Sequence, residues 1–146
     1  DAGGPPDFHL DMVFMSANPG EHHQVVLVAG RPDAATANVA QQISFLVNSL
    51  DEVREMRDRI VAEGLTVLRV VTHGNAWSFY FTDPEGNTLE IYTHTPWYVP
   101  QPMGVPFDLD LSNDEIMAQT EALCQSKEGF ISAKERRTTM VKMIDG

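Results

Sequence analysis

Phe8 to Ser16 alternates between apolar and polar positions, with Phe8, Leu10, Met12 and Phe14 on one side, which is the period of a half-buried strand. Asn18-Pro19-Gly20 breaks that pattern, and the β-branched run His23 to Ala29 predicts a second strand. Gly30 to Ala40 is small, polar and aperiodic, so a loop is expected there. From Gln41 the signals become denser. Gln41 to Val47 reads as a strand, and Ser49-Leu50-Asp51-Glu52 has the spacing of a capping box, with Glu three residues after the Ser. The helix it opens, Asp51 to Glu63, places Leu50, Val53, Met56 and Ile60 on one stripe and stops at Gly64. Leu65 to Thr72 is the next strand, His73-Gly74-Asn75 a turn, and Ala76 to Thr82 and Thr88 to Thr93 a hairpin around Asp83-Pro84-Glu85-Gly86-Asn87.

The remainder has a different character. Thr95 to Pro106 carries Pro96, Pro100, Pro102 and Pro106, which predicts an extended path over the surface. Ser112-Asn113-Asp114-Glu115 is a second capping box, opening a helix towards Cys124, and a last helix is expected from Ala133 to about Ile144. The chain thus divides into 1–40 (two strands), 41–94 (a complete β-α-β-β-β unit) and 95–146 (a strap and helices expected to serve as a brace or an oligomer contact). The fold class is α+β.

Composition narrows the function. A single cysteine, Cys124, excludes a disulfide framework or a thiolate-rich zinc site within one chain and points to a reducing, cytoplasmic setting. A net charge of −11 excludes binding to a phosphate backbone through a basic face. No apolar run reaches spanning length, so neither nucleic acid nor a membrane is an expected partner.

Pairing the hairpin symmetrically about its loop sets Thr82 opposite Thr88, Phe81 opposite Leu89 and Tyr80 opposite Glu90. Phe79, Phe81, Leu89 and Ile91 then share one face, suited to packing under the helix, with Ile43, Phe45 and Val47 completing it. Ser78, Tyr80, Glu90 and Tyr92 share the other, together with Gln42, Ser44 and Leu46. A carboxylate beside a phenol in mid-strand fits either the floor of a cleft, where Glu90 is a metal ligand or acid/base, or a solvent-facing sheet. His22 and His23, as neighbours on a strand, would point to opposite faces, so at most one enters a cleft. On pattern alone they read as a solvated loop pair, His73 as a turn residue and His94 as exposed; His9 and Asp11 share a strand face with Val13 and Met15. No phosphate loop, dinucleotide fingerprint, H-E-x-x-H or G-x-S-x-G occurs.

The string Thr72-His73-Gly74-Asn75-Ala76-Trp77-Ser78-Phe79-Tyr80-Phe81, followed by Asp83-Pro84-Glu85-Gly86-Asn87-Thr88-Leu89-Glu90-Ile91-Tyr92, resembles the second module of the vicinal oxygen chelate superfamily. That superfamily holds glyoxalase I, bleomycin-resistance proteins and type I extradiol dioxygenases. Phe14 to His23, with its His-His pair, and Gln42 to Leu50 are similar to extradiol dioxygenase segments. The resemblance, which covers roughly residues 8–98, implies paired βαβββ modules forming a cleft-shaped mixed sheet, to which the tail adds a C-terminal helical appendage. It places the opening strand, helix and next strand of the first module upstream of Asp1. The chain would then be incomplete in this respect, or borrow those elements from a partner in a homodimer with swapped modules.

The same resemblance implies roles. Glu90 would be the carboxylate of a two-histidine, one-carboxylate facial triad, and Gln42 stands where the family has a second-module histidine ligand. His23 would be the acid/base acting on a catechol proton, with His73 and Tyr80 hydrogen-bonding the ring oxygens. Fe(II) is the implied metal, with Mn(II), Zn(II) or none as alternatives. The expected activity is extradiol ring cleavage of a catechol or related small aromatic. A non-catalytic small-molecule binder of the bleomycin-resistance type is the rival, favoured by Gln42, and a glyoxalase-like lyase or isomerase is the third reading.

Overall fold

The computed structural model describes residues 12–16, 18, 20–28 and 42–145. The chain divides into two compact units, residues 1–38 with 137–146, and residues 39–136.

In the first unit, β1 (Met12–Met15) and β2 (Val25–Val28) form an antiparallel hairpin with Met12 opposite Val28 and Met15 opposite Val25. The predicted alternation holds where it is described: Met12 and Phe14 are half-buried, Val13 and Met15 exposed. Phe8, His9, Leu10 and Asp11, and the predicted loop Gly30–Ala40, lie outside the described residues. The second strand starts two residues later than predicted. Gln24 N–H donates to the Met15 carbonyl at 2.8 Å and Glu21 N–H to that of Asn18 at 3.0 Å, which bends the chain through 21–24.

The second unit contains β3 (Ile43–Leu46), α1 (Leu50–Ala62), β4 (Val67–Thr72), β5 (Ala76–Thr82), β6 (Thr88–His94), β7 (Trp97–Tyr98), β8 (Val105–Pro106), α2 (Asn113–Gln125) and β9 (Ile131–Ser132); α3 (Ala133–Asp145) runs from it into the first unit. The main sheet has the order β3-β6-β5-β4-β8, with β3 parallel to β6 and the other pairs antiparallel. The β-α-β-β-β order and the α+β class read from the sequence are those of the structure.

The hairpin register is the predicted one, Tyr80 opposite Glu90 and Phe81 opposite Leu89. Its loop is closed by Asp83, whose carboxylate accepts from Asn87 Nδ2 and from the N–H groups of Asn87 and Glu85, all at 2.8–2.9 Å. These bonds, the Asn87 side chain first, hold its pKa below the ordinary carboxylate value. At the start of α1, Ser49 Oγ accepts from Glu52 N–H at 3.2 Å, but the Glu52 carboxylate reaches past the cap to Asn48 N–H at 2.8 Å. The capping box is therefore half made. α2 carries the complete exchange between Ser112 and Glu115, and the same exchange between Ser132 and Glu135 opens α3.

Leu50 and Val53 on α1 bury against Trp77, Phe79, Phe81 and Ile91, with Met56 and Ile60 at the margin. Two expectations need correction. Ile43 and Phe45 do not complete this face: they are 50% and 49% exposed. β3 is the sheet's edge strand, while α1 packs over β4, β5 and β6. The tail, in turn, is not a surface strap: Trp97, Val99, Leu109, Ile116 and Cys124 are buried in the same core. The prolines carried no information on which way the intervening apolar side chains face, and the path they predict as extended bends at Pro96 and at Gln101–Pro102. Trp77 Nε1–H donates to Thr120 Oγ1 at 2.8 Å, and the Arg54 guanidinium donates to the carbonyls of Leu109 and Leu111, both at 3.0 Å. Among the described residues no helix is long and apolar enough to cross a membrane.

Candidate functional site

The face of the sheet turned away from α1 carries the polar residues that alternation assigned to it. Ser78 lies opposite Tyr92, Tyr80 opposite Glu90, and Ser44 beside Glu90 in parallel register. This face is not a solvated one at its centre. Glu90 is 7% exposed, Tyr80 3% and Ser78 0%. Burying a carboxylate costs several kcal/mol unless partners satisfy it, so its hydrogen bonds are what must be accounted for.

One oxygen of Glu90, Oε2, accepts from Ser44 Oγ at 2.5 Å and from Gln42 Nε2 at 3.0 Å. The Ser44 distance is that of a charge-assisted O–H···O bond. The other oxygen, Oε1, faces His73 Nε2 at 3.8 Å. His73 leaves β4 at its end and is held on both ring nitrogens: Nδ1 against the Met103 carbonyl, Nε2 against the Tyr80 hydroxyl at 2.9 Å. A carbonyl only accepts, so a proton stands on Nδ1, and where that is the ring's one proton Nε2 accepts from Tyr80 O–H.

Tyr80 is held protonated. Burial first, and then the negative charge of Glu90, push its pKa above the ordinary phenol value. The Arg69 guanidinium, 4.1 Å from the ring centroid, works in the opposite direction. Ser78 Oγ is buried without a hydrogen-bond partner on the same face. The arrangement sets a desolvated acceptor, Glu90, beside a donor, Tyr80, whose hydrogen bond is taken by His73.

The structure brings four of the sequence-predicted residues together: Gln42, His73, Tyr80 and Glu90. His23 belongs to the other unit. There the expectation of opposite-facing histidines fails, because 21–24 is a bend and not strand: His22 Nδ1 and His23 Nδ1 are 2.7 Å apart, and both rings meet Phe14 edge-on. His94 is exposed, as read, with its ring against Tyr92. Sequence reasoning missed Ser44 as the short partner of Glu90, although it had placed Ser44 on the right face. It also missed Gln101, whose amide donates to the His73 carbonyl at 2.7 Å and accepts from Met103 N–H at 3.0 Å. Nothing in a proline-rich tail marks one glutamine, and a backbone carbonyl has no signature at all.

The implied metal can be tested against these donors. Gln42 turns its N–H end to Glu90, and an amide oxygen there would face a carboxylate oxygen instead. Glu90 Oε2 is occupied by two donors, and both nitrogens of His73 are engaged. Among the described residues no group of three or more His, Cys, Asp or Glu could hold a metal ion. The donors among the described residues do not fit a facial-triad metal.

A family model described as Glyoxalase/Bleomycin resistance protein/Dioxygenase superfamily matches residues 4–91. Among curated proteins, biphenyl-2,3-diol 1,2-dioxygenase 2 of Rhodococcus globerulus is 26% identical over 118 residues, 68% of this chain and 62% of its own length. The chain thus spans less than two thirds of that relative. A solved glyoxalase/bleomycin resistance protein/dioxygenase from Nocardioides aligns with a TM-score of 0.37 at 21% identity, over 62% of this chain and 72% of its own. The lactoylglutathione lyase of Agrobacterium tumefaciens aligns at 0.34 and 22%, over 59% and 76%.

Proposed function

The chain belongs to the glyoxalase/bleomycin resistance protein/dioxygenase superfamily, and within it we propose an extradiol dioxygenase-like role on a catechol or related small aromatic. The observation that carries this reading is the buried Glu90, fastened through Oε2 and turned through Oε1 towards the His73–Tyr80 pair. A vicinal diol presents two adjacent oxygens. One can donate its proton to a desolvated carboxylate, while the other donates to the oxygen of Tyr80, whose own proton is taken by His73. Similarity to a biphenyl-2,3-diol dioxygenase supports the substrate class. The described donors do not make a metal site, so these residues take the roles of binding, orientation and proton placement, and none of them is assigned the ring-cleavage step. The rival, sequestration of the aromatic without chemistry, is favoured by the N–H end of Gln42 filling a ligand position.

Calorimetric titration with biphenyl-2,3-diol and with catechol, under anaerobic conditions and with or without Fe(II), tests both. Binding is expected in the wild type, weakened about tenfold in Glu90→Gln by loss of one charge-assisted bond worth about 1.5 kcal/mol. Admission of dioxygen then separates the readings: a ring-fission product supports the dioxygenase, and binding without one supports the sequestering protein. No binding under either condition refutes both.

A further inference from the structure

We infer that the segment Val99–Gly104 is a positioning device for His73, in which Gln101 and the Met103 carbonyl together hold the imidazole's proton on Nδ1 and not on Nε2. The prolines of this segment predict a passive strap. It is instead fastened to the His73 turn at several points. Gln101 uses both ends of its amide, donating to the His73 carbonyl at 2.7 Å and accepting from Met103 N–H at 3.0 Å, which folds the chain back so that the Met103 carbonyl faces Nδ1. The segment lies against the turn closely: a Cβ on Gly74 would collide with Val99 Cγ2, and one on Gly104 would stand 3.8 Å from His73 Nδ1 and Cε1.

An imidazole free of such contacts exchanges between two neutral tautomers. Here moving the proton from Nδ1 to Nε2 would leave the Nδ1 lone pair facing the carbonyl lone pairs of Met103, whereas the Tyr80 hydroxyl, which can donate or accept, tolerates either form of Nε2. The Met103 contact is therefore the one that selects the tautomer. Its consequence is that Nε2 is an acceptor pointed at Tyr80 and, 3.8 Å away, Glu90. A residue outside the β-α-β-β-β unit thereby decides whether the site holds a base or a donor at that point. The importance of this for ligand chemistry rests on the proposed function; the tautomer itself does not.

The test is a long-range proton–nitrogen correlation spectrum of ¹⁵N-labelled, metal-free and ligand-free protein at alkaline pH, with His73 assigned by His73→Gln. The wild type is expected to show a protonated Nδ1 and a bare Nε2. Gln101→Leu keeps the volume and removes the hydrogen bonds of the amide, so the Nε2–H form should rise about tenfold. A wild-type His73 protonated on Nε2 overturns the inference, and does so without any variant. A folded Gln101→Leu protein with the wild-type pattern overturns it as well. The readout needs no ligand, so failure of catechol binding leaves it standing, and its failure leaves the binding assay free to succeed.

Discussion

Replacing Glu90 separates a functional carboxylate from a structural one. In Glu90→Gln the side chain keeps its shape, and its carbonyl oxygen still accepts from Ser44 O–H and Gln42 N–H. Each bond falls from the charge-assisted range, about 1.5–3 kcal/mol, to the neutral range, about 0.5–1.5 kcal/mol, a loss of roughly 2 kcal/mol over the pair. Against this, the charge of a residue only 7% exposed no longer has to be desolvated, a relief of several kcal/mol before relaxation. The two effects oppose each other, and the net change in stability should stay within about 1 kcal/mol, or about 4 °C in Tm for a chain of this size. Glu90→Ala differs in kind. It removes both charge-assisted bonds, whose donors on the exposed Ser44 and Gln42 turn to water, and leaves a cavity at the buried carboxylate, so a loss of about 2–4 kcal/mol is expected. Urea unfolding of both variants in metal-free buffer, beside the catechol titration, reads the difference. If Glu90→Gln is destabilised as much as Glu90→Ala, the charge itself is holding the fold and its assignment to ligand chemistry is wrong.

Two further perturbations address the surroundings of the site. Gly64 and Gly74 share a positive φ, 77° and 78°, but only Gly74 has a neighbour where a Cβ would go. Gly64→Ala should therefore cost about 1–2 kcal/mol for backbone conformation alone, and Gly74→Ala a further 1–3 kcal/mol or so for displacing Val99 and Cys124, measurable as unfolding midpoints; equal losses would contradict the close packing of the strap on the turn. Tyr80, with its folded pKa raised above the unfolded value, contributes stability that is whole below pH about 10 and declines above it, because the unfolded chain releases its proton first. The phenolate absorbance of wild type minus Tyr80→Phe should show no step for Tyr80 until alkaline unfolding, and a step near pH 10 in folded protein would refute the burial of its hydroxyl.

Much of the fold was legible because its signals are local. The apolar stripe of α1, the glycine that ends it and the Asp83–Asn87 loop each specify a conformation within a few residues, and the loop sets the register of β5 on β6. Once that register is fixed, alternation alone puts Tyr80, Glu90 and Ser78 on one face. What alternation cannot give is burial. It assigned Ile43 and Phe45 to the helix side, yet β3 is the last strand of the sheet and α1 covers the strands next to it. The prolines of the tail imply extension, but not the insertion of Val99, Leu109 and Ile116 into the core, which depends on partners far away along the chain.

The site was legible to the extent that strand side chains build it. Where a bend or a backbone atom does the work, the sequence is silent. His22 and His23 converge because a bend replaces the strand that would have parted them, and His73 is oriented by a carbonyl that any residue could offer. Ser44 shows a third limit. Its position was readable, yet its role follows only from the parallel register of β3 on β6, which brings its hydroxyl to 2.5 Å from a carboxylate 46 residues away. Neither group is well placed alone. Glu90 without Ser44 is a buried carboxylate with one donor fewer, and Ser44 without Glu90 is a solvated hydroxyl on an exposed edge strand. The effect of Ser44→Ala should accordingly shrink in a Glu90→Gln background, where a neutral bond is all it can lose, and the coupling between the two positions is the measure of how far the strand edge belongs to the site.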